Sequence, residues 1–131
     1  MVLVDSSAWI ESFRAEGDAE LTRKVADLVA EGRAAVAGII KLELLSGARG
    51  HEVDRLHRNL SLMPLIPTQE DHYEAAGRLG SDLRRVGISI PASDLLIATI
   101  AVDLDIPLLH CDRHFDRIAQ HRPLRFDRDS P

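Results

Sequence analysis

The chain has a single cysteine, only two lysines (Lys24 and Lys41), no apolar run near the length of a membrane span, and no glycine-rich turn after its first apolar segment. Each scarcity excludes something. One Cys111 rules out an internal disulfide and a cysteine-rich zinc site. Without about 20 consecutive apolar residues, no membrane-spanning helix is expected. The opening MVLVDSS has neither a basic stretch nor a small-residue cleavage site, so it reads as a first strand rather than a signal peptide, and a cytoplasmic location is expected. That strand runs into DSSAW instead of a glycine-rich phosphate loop, which argues against a nucleotide-binding Rossmann enzyme. No linker, repeat or low-complexity tract interrupts the 131 residues, and one domain over 1–131 is expected.

The net charge of −5, from 16 basic and 21 acidic residues, lacks the basic footprint usual in nucleic-acid binders. Net charge does not fix its distribution, however. The basic residues are almost all arginine, a side chain suited to bidentate phosphate contacts, although a compositional bias explains the arginines equally well.

The hydrophobic pattern alternates between short apolar runs and helical periodicity. Val2–Val4 reads as a buried parallel strand, and Ser6 or Ser7 as the cap of a helix carrying Ala8, Trp9, Ile10 and Phe13. Leu21, Val25, Leu28 and Val29 recur at helical spacing up to Gly32. Ala34–Ala37 is a second strand, followed by a helix opening at Ile39 and stopping near Gly47. Val53, Leu56 and Leu60 mark a polar helix, and 62–66 a short strand interrupted by Pro64 and closed by Pro67. Thr68 with Asp71 resembles a capping box for a helix reaching about Val86, with Tyr73, Ala76, Leu79 and Leu83 on one face. A strongly apolar helix over 93–102, a strand over 108–111, a short helix with Phe115 and Ile118, and an edge strand over 124–126 complete the pattern. This alternation implies a parallel sheet covered by helices on both faces.

Four carboxylates stand in apolar surroundings: Asp5 in VLVDSS, Glu43 in IIKLELLSG, Asp94 in IPASDLLIATIA and Asp112 in PLLHCDRHF. An unpaired carboxylate is costly there. Taken singly, Asp5 is equally a helix cap, Asp94 a first-turn acid favoured by the helix dipole and Asp112 a turn residue. Taken together, they sit at strand ends and helix starts, the edge where sites form in open α/β sheets. Convergence would make an acidic pocket whose repulsion a cation offsets. Two carboxylates about 4 Å apart repel by roughly 4 kcal/mol at an effective dielectric near 20, so at least one is expected to have a raised pKa without metal. Oxygen-only donors suit Mg²⁺ or Mn²⁺, which activate water for phosphodiester hydrolysis. An aspartyl-phosphate phosphatase would need an acid two positions beyond Asp5, where Ser7 stands.

SDLLIATIAVDLDIPLLHCDRHFDRIA resembles the C-terminal signature of PIN-domain ribonucleases, VLVDSSAWIE their opening, and KLELLSGAR their central glutamate helix. The most similar subgroup is the VapC-type toxins of type II toxin–antitoxin pairs, and the resemblance spans essentially the whole chain. It implies an α/β/α sandwich around a parallel sheet and Mg²⁺- or Mn²⁺-dependent cleavage of RNA. It also implies control by a cognate antitoxin, and a homodimer or a toxin–antitoxin hetero-oligomer. Carried over by position, Asp5, Glu43, Asp94 and Asp112 are the acidic quartet, with Asp116 either a fifth acid on the metal or a group that supports its ligands from behind. Ser6 corresponds to the Thr or Ser beside the first acid, able to orient a ligand or the scissile phosphate. An inactive PIN-like module that only binds RNA or a partner is the alternative. Many relatives read D-R-D-F where this chain reads Asp112-Arg113-His114-Phe115. The resulting H-x-D-x-H pattern raises a zinc or manganese preference. Against that, His114 reads as a helix-surface residue, His110 as packing in or beside its strand, and Cys111 as a small buried hydrophobe.

Overall fold

Val2–Val4 is fully buried and forms the strand β1, as an uninterrupted β-branched and aliphatic run between two helical layers requires. The structure, a computed structural model, describes residues 1–127, so the last four residues of the expected domain lie outside the described residues. From β1 the chain proceeds through α1 (Ser6–Phe13), α2 (Ala19–Ala30), β2 (Ala34–Ala37), α3 (Gly38–Gly47) and α4 (Gly50–Ser61). It continues through β3 (Leu65–Ile66), α5 (Glu70–Arg85), α6 (Ala92–Asp103), β4 (Leu108–Leu109) and α7 (Arg113–Ala119). The four strands form one parallel sheet in the order β3-β2-β1-β4, with Leu3 aligned to both Ala35 and Leu108.

That order places the site. The chain moves outward from β1 to β2 to β3, then returns across the sheet to place β4 on the other side of β1. With right-handed crossovers, the first two connections lie on one face and the returning one on the opposite face. Most of the packing agrees: α1 meets α2 and α3, α3 meets α4, and α6 meets both α5 and α7, while α3 and α6 also touch each other. Strand order therefore reverses between β1 and β4, and a crevice opens at their carboxyl ends. Asp5 ends β1, and His110–Asp112 follow β4 there.

Several local expectations need correction. The cap of α1 is Asp5, whose side chain accepts the Ser7 N–H; Ser6 and Ser7 are already in the first turn. The start of α5 uses Gln69 and His72 in place of Thr68 and Asp71: the Gln69 N–H donates to His72 Nδ1 at 2.9 Å. The buried face of α5 runs through His72, Ala76, Leu79 and Leu83, while Tyr73 is exposed. The strands expected over 62–66 and 108–111 shorten to two residues each, because only Leu65–Ile66 and Leu108–Leu109 find ladder partners. The 124–126 segment contributes a lone parallel bridge, Leu108 to Phe126. Gly32 meets its expected role: it follows α2 with φ +70°, a conformation glycine adopts without a Cβ penalty.

His72 is a buried imidazole with both nitrogens engaged, Nδ1 by Gln69 and Nε2 by Asp103 Oδ2 at 2.8 Å. It joins the start of α5 to the end of α6. His72→Ala is expected to cost about 1–3 kcal/mol in urea unfolding, the range for removing such buried hydrogen-bond partners. Any activity of the site at the far sheet edge should stay unchanged.

Candidate active site

Asp5 is 2% exposed, yet it is not fully satisfied. Its Oδ2 accepts both the backbone N–H and the hydroxyl of Ser7. Its Oδ1 is buried without a hydrogen-bond partner among the described residues. The same Ser7 hydroxyl accepts the Cys111 N–H at 3.0 Å, which ties the end of β1 to the segment leaving β4. Ser7 is a residue that sequence reading missed in this role. Its position two residues beyond the first acid carries no mark of a contact to position 111.

Ser6 donates its hydroxyl to Glu43 Oε1 at 3.1 Å. This brings α3 to the start of α1 and explains why a half-buried glutamate is tolerated between Leu42 and Leu44. Asp94, in the first turn of α6, is buried. Its carboxyl pKa is pushed up to about 6, first by burial and then by the neighbouring Asp112 and Asp5 charges, partly offset by a hydrogen bond from His114. The expected raised pKa is therefore present, with burial ahead of repulsion as its cause.

Asp112 caps α7, accepting the His114 N–H at 2.9 Å. That cap swings the His114 ring inward: Nδ1 lies 2.9 Å from Asp94 Oδ2 and 3.1 Å from Asp112 Oδ1. The expectation that His114 faces solvent is corrected. On a helix beginning at Arg113, the second position points back over the first turn, towards the capping acid and Asp94. Asp94, Asp112 and His114 offer ligand atoms within 4.8 Å of one another, the one such group among the described residues.

Asp116 is placed elsewhere. It is exposed, and its Oδ1 lies 3.6 Å from His110 Nε2. His110 packs as expected, between Phe115 and Phe126 at ring separations of 5.1 and 4.5 Å. Burial lowers its pKa, and its Nδ1 accepts the Asp112 N–H, so the neutral ring carries its proton on Nε2. Cys111 is exposed rather than buried, because β4 ends before it and the chain turns towards α7. Partial burial and the acids Glu11, Asp18 and Asp5 push its thiol pKa up, which disfavours a reactive thiolate.

Beside Glu43 a groove of about 530 Å³ runs between α1, α3 and α4, walled by Ile10, Phe13, Leu44 and Leu56, with Arg55 and Asn59 among its polar residues. Four acids from four elements thus stand around one sheet edge. Asp94 and Asp112 are in direct reach of a shared ligand, Asp5 acts on Asp94 through its charge, and Glu43 is held by the residue after Asp5.

A parallel sheet with an acidic crevice at its switch point defines a class, and the comparisons with known proteins agree. Residues 2–120 match the PIN domain, and the chain belongs to that family. It is 32% identical over 126 residues to the VapC ribonuclease Mb1587 of Mycobacterium bovis, covering 92% of each chain, which places it with the VapC-type members. Among solved structures, FitAcB from Neisseria gonorrhoeae superposes with a TM-score of 0.76 at 21% identity, over 97% of each chain. VapBC-5 from Mycobacterium tuberculosis, a member of the VapBC family of toxin–antitoxin systems, gives 0.65 at 20% identity, again over 97% of each. These two likenesses carry the fold.

Proposed function

We propose that this protein is a divalent-metal-dependent endoribonuclease that hydrolyses RNA phosphodiester bonds, acting as the toxin of a toxin–antitoxin pair in the cytoplasm. The observation that carries the reading is the meeting of Asp94 and Asp112, with the charge of Asp5 acting on Asp94 and Asp5 Oδ1 buried without a hydrogen-bond partner among the described residues. A buried carboxylate oxygen without a hydrogen-bond donor is costly, and a bound cation offsets that cost. The donor set fits a hard divalent cation, Mg²⁺ or Mn²⁺, held by Asp5, Asp94 and Asp112. When bound, such an ion would neutralise the carboxylates, polarise a phosphate oxygen and acidify an attacking water.

The chain's own residues supply the positioning. Ser6 fixes Glu43 Oε1 and leaves Oε2 to orient the attacking water. Ser7 holds Asp5 against the β4 side of the crevice. Water attack forms one new P–O bond as the bond to the leaving ribose oxygen breaks, with no covalent enzyme intermediate. The groove beside Glu43 gives an extended strand of RNA, or the chain of an inhibitory antitoxin, a path to the acids. The support for an antitoxin partner is the likeness to VapBC-5. Consistent with the cytoplasmic reading, no helix among the described residues is long and apolar enough to cross a membrane.

The test is incubation of metal-stripped protein with RNA, with and without added Mg²⁺ or Mn²⁺. Cleavage should appear only with metal. Metal binding without cleavage would favour the inactive module instead. Ser6→Ala is expected to slow cleavage by about 10–100-fold, as loss of a ligand-orienting hydrogen bond does, with little change in unfolding midpoint.

A further inference from the structure

We infer that His114 is a direct ligand of the bound cation, making this a mixed carboxylate–imidazole centre that favours first-row transition ions such as Mn²⁺ over Mg²⁺. The inference rests on the metal-site reading above and deepens it.

The geometry is specific to one nitrogen. Nδ1 of His114 lies 2.9 Å from Asp94 Oδ2 and 3.1 Å from Asp112 Oδ1, and the three ligand atoms lie within 4.8 Å of one another. The two nitrogen–oxygen separations, 2.9 and 3.1 Å, suit donors on adjacent vertices around one ion with bonds of about 2.0–2.2 Å. The ring is held there from its backbone, since Asp112 also accepts the His114 N–H. Asp94 comes from α6 and the other two from the start of α7, so the site joins two packed elements. A second observation supports the site: Asp5 Oδ1 is buried without a hydrogen-bond partner among the described residues, and the Asp5 charge acts on Asp94.

Of the two histidines flanking Asp112, only His114 is available. His110 spends Nδ1 on the Asp112 N–H, its Nε2 lies by Asp116, and it is not part of the trio. The alternative is that His114 only donates Nδ1–H to the two carboxylates and steps aside when a cation enters. The two states differ in chemistry. Mg²⁺ demands oxygen donors and binds imidazole poorly, whereas imidazole strengthens binding of Mn²⁺ and later ions of the row. An all-oxygen site would show a weaker preference.

The deciding experiment is pulsed electron paramagnetic resonance of the full chain, metal-stripped and loaded with one equivalent of Mn²⁺. The expected spectrum shows ¹⁴N coupling from a bound imidazole. That coupling should vanish in His114→Asp, which keeps an anionic donor and still binds Mn²⁺. By calorimetry, the Mn²⁺-over-Mg²⁺ preference of the wild type should exceed that of His114→Asp by about tenfold or more. Bound Mn²⁺ without ¹⁴N coupling, with binding still lost in Asp94→Asn, overturns the ligand role and leaves the metal site standing. Coupling that persists in His114→Asp also overturns it. No Mn²⁺ binding by the wild type would overturn both. The wild-type spectrum decides the ligand role even if the variant folds poorly.

Discussion

Asp5→Asn is expected to lower RNA cleavage by about 10²–10³-fold or more, the scale for losing one preorganised electrostatic group from an active site, while leaving the fold as stable as wild type. Asp5→Ala is expected to lose the same activity and also about 1 kcal/mol of stability. The difference follows from the two oxygens of Asp5. Oδ2 caps α1 by accepting the Ser7 N–H and hydroxyl, and an asparagine carbonyl can continue to do so. Oδ1 has no hydrogen-bond partner among the described residues, and the Asp5 charge acts on Asp94, so that charge serves the site and not the fold. Removing that charge also removes one of the repulsions on Asp94, whose carboxyl should titrate lower in Asp5→Asn. Cleavage assays, urea unfolding and NMR titration of Asp94 together check the three parts. Retained cleavage in Asp5→Asn would remove Asp5 from the site.

Metal should stabilise the protein far more at pH 7.5 than at pH 5. In the metal-free protein, burial pushes the Asp94 carboxyl up to about 6, from an ordinary 3.8. The folded-state pKa lies above the unfolded one, so the fold favours the protonated carboxyl. The contribution of this group to stability is present below about pH 4 and is lost as pH rises through about 6. A cation needs the ionised carboxylate and restores that loss. One unit below its pKa, Asp94 is about nine-tenths protonated, so its protonation alone should make metal affinity at pH 5 about tenfold weaker. At metal concentrations about 100-fold above the dissociation constant at neutral pH, stabilisation near 2.7 kcal/mol is expected. At pH 5 it should fall by roughly 1.4 kcal/mol. Unfolding curves at the two pH values, with and without Mn²⁺, measure this. Equal metal stabilisation at both would contradict it.

The order of elements was readable because strand runs are short and uniformly apolar, while helices carry one buried stripe. The four acids were readable for the same reason: each interrupts an apolar pattern, and a break in pattern is visible in one dimension. The errors lie where three-dimensional context chooses between neighbours. Tyr73 and His72 both fit a helical face, and the contact to Asp103 on α6 selects His72. Cys111 looked like the end of a buried strand, but β4 loses its ladder partner two residues earlier. His114 shows the limit most clearly. Its side chain enters the site because Asp112 caps the helix that begins beside it, and Asp94 waits 20 residues away in sequence. Asp116 faces His110, whose other nitrogen accepts the Asp112 N–H, a contact between α7 and the segment after β4 that no local pattern reveals. The Ser7 link between Asp5 and Cys111 spans 104 positions, which no local pattern encodes.

End-group analysis of RNA cut by the metal-loaded protein tests most directly whether these acids direct a water to phosphorus. Attack by water leaves a linear monophosphate on one fragment and a free hydroxyl on the other, and cleavage should stop when the metal is chelated. That pattern is the expected result. Fragments ending in 2′,3′-cyclic phosphate, formed at an undiminished rate in excess chelator, would mean that the ribose hydroxyl is the nucleophile and that the acidic crevice does not perform the reaction.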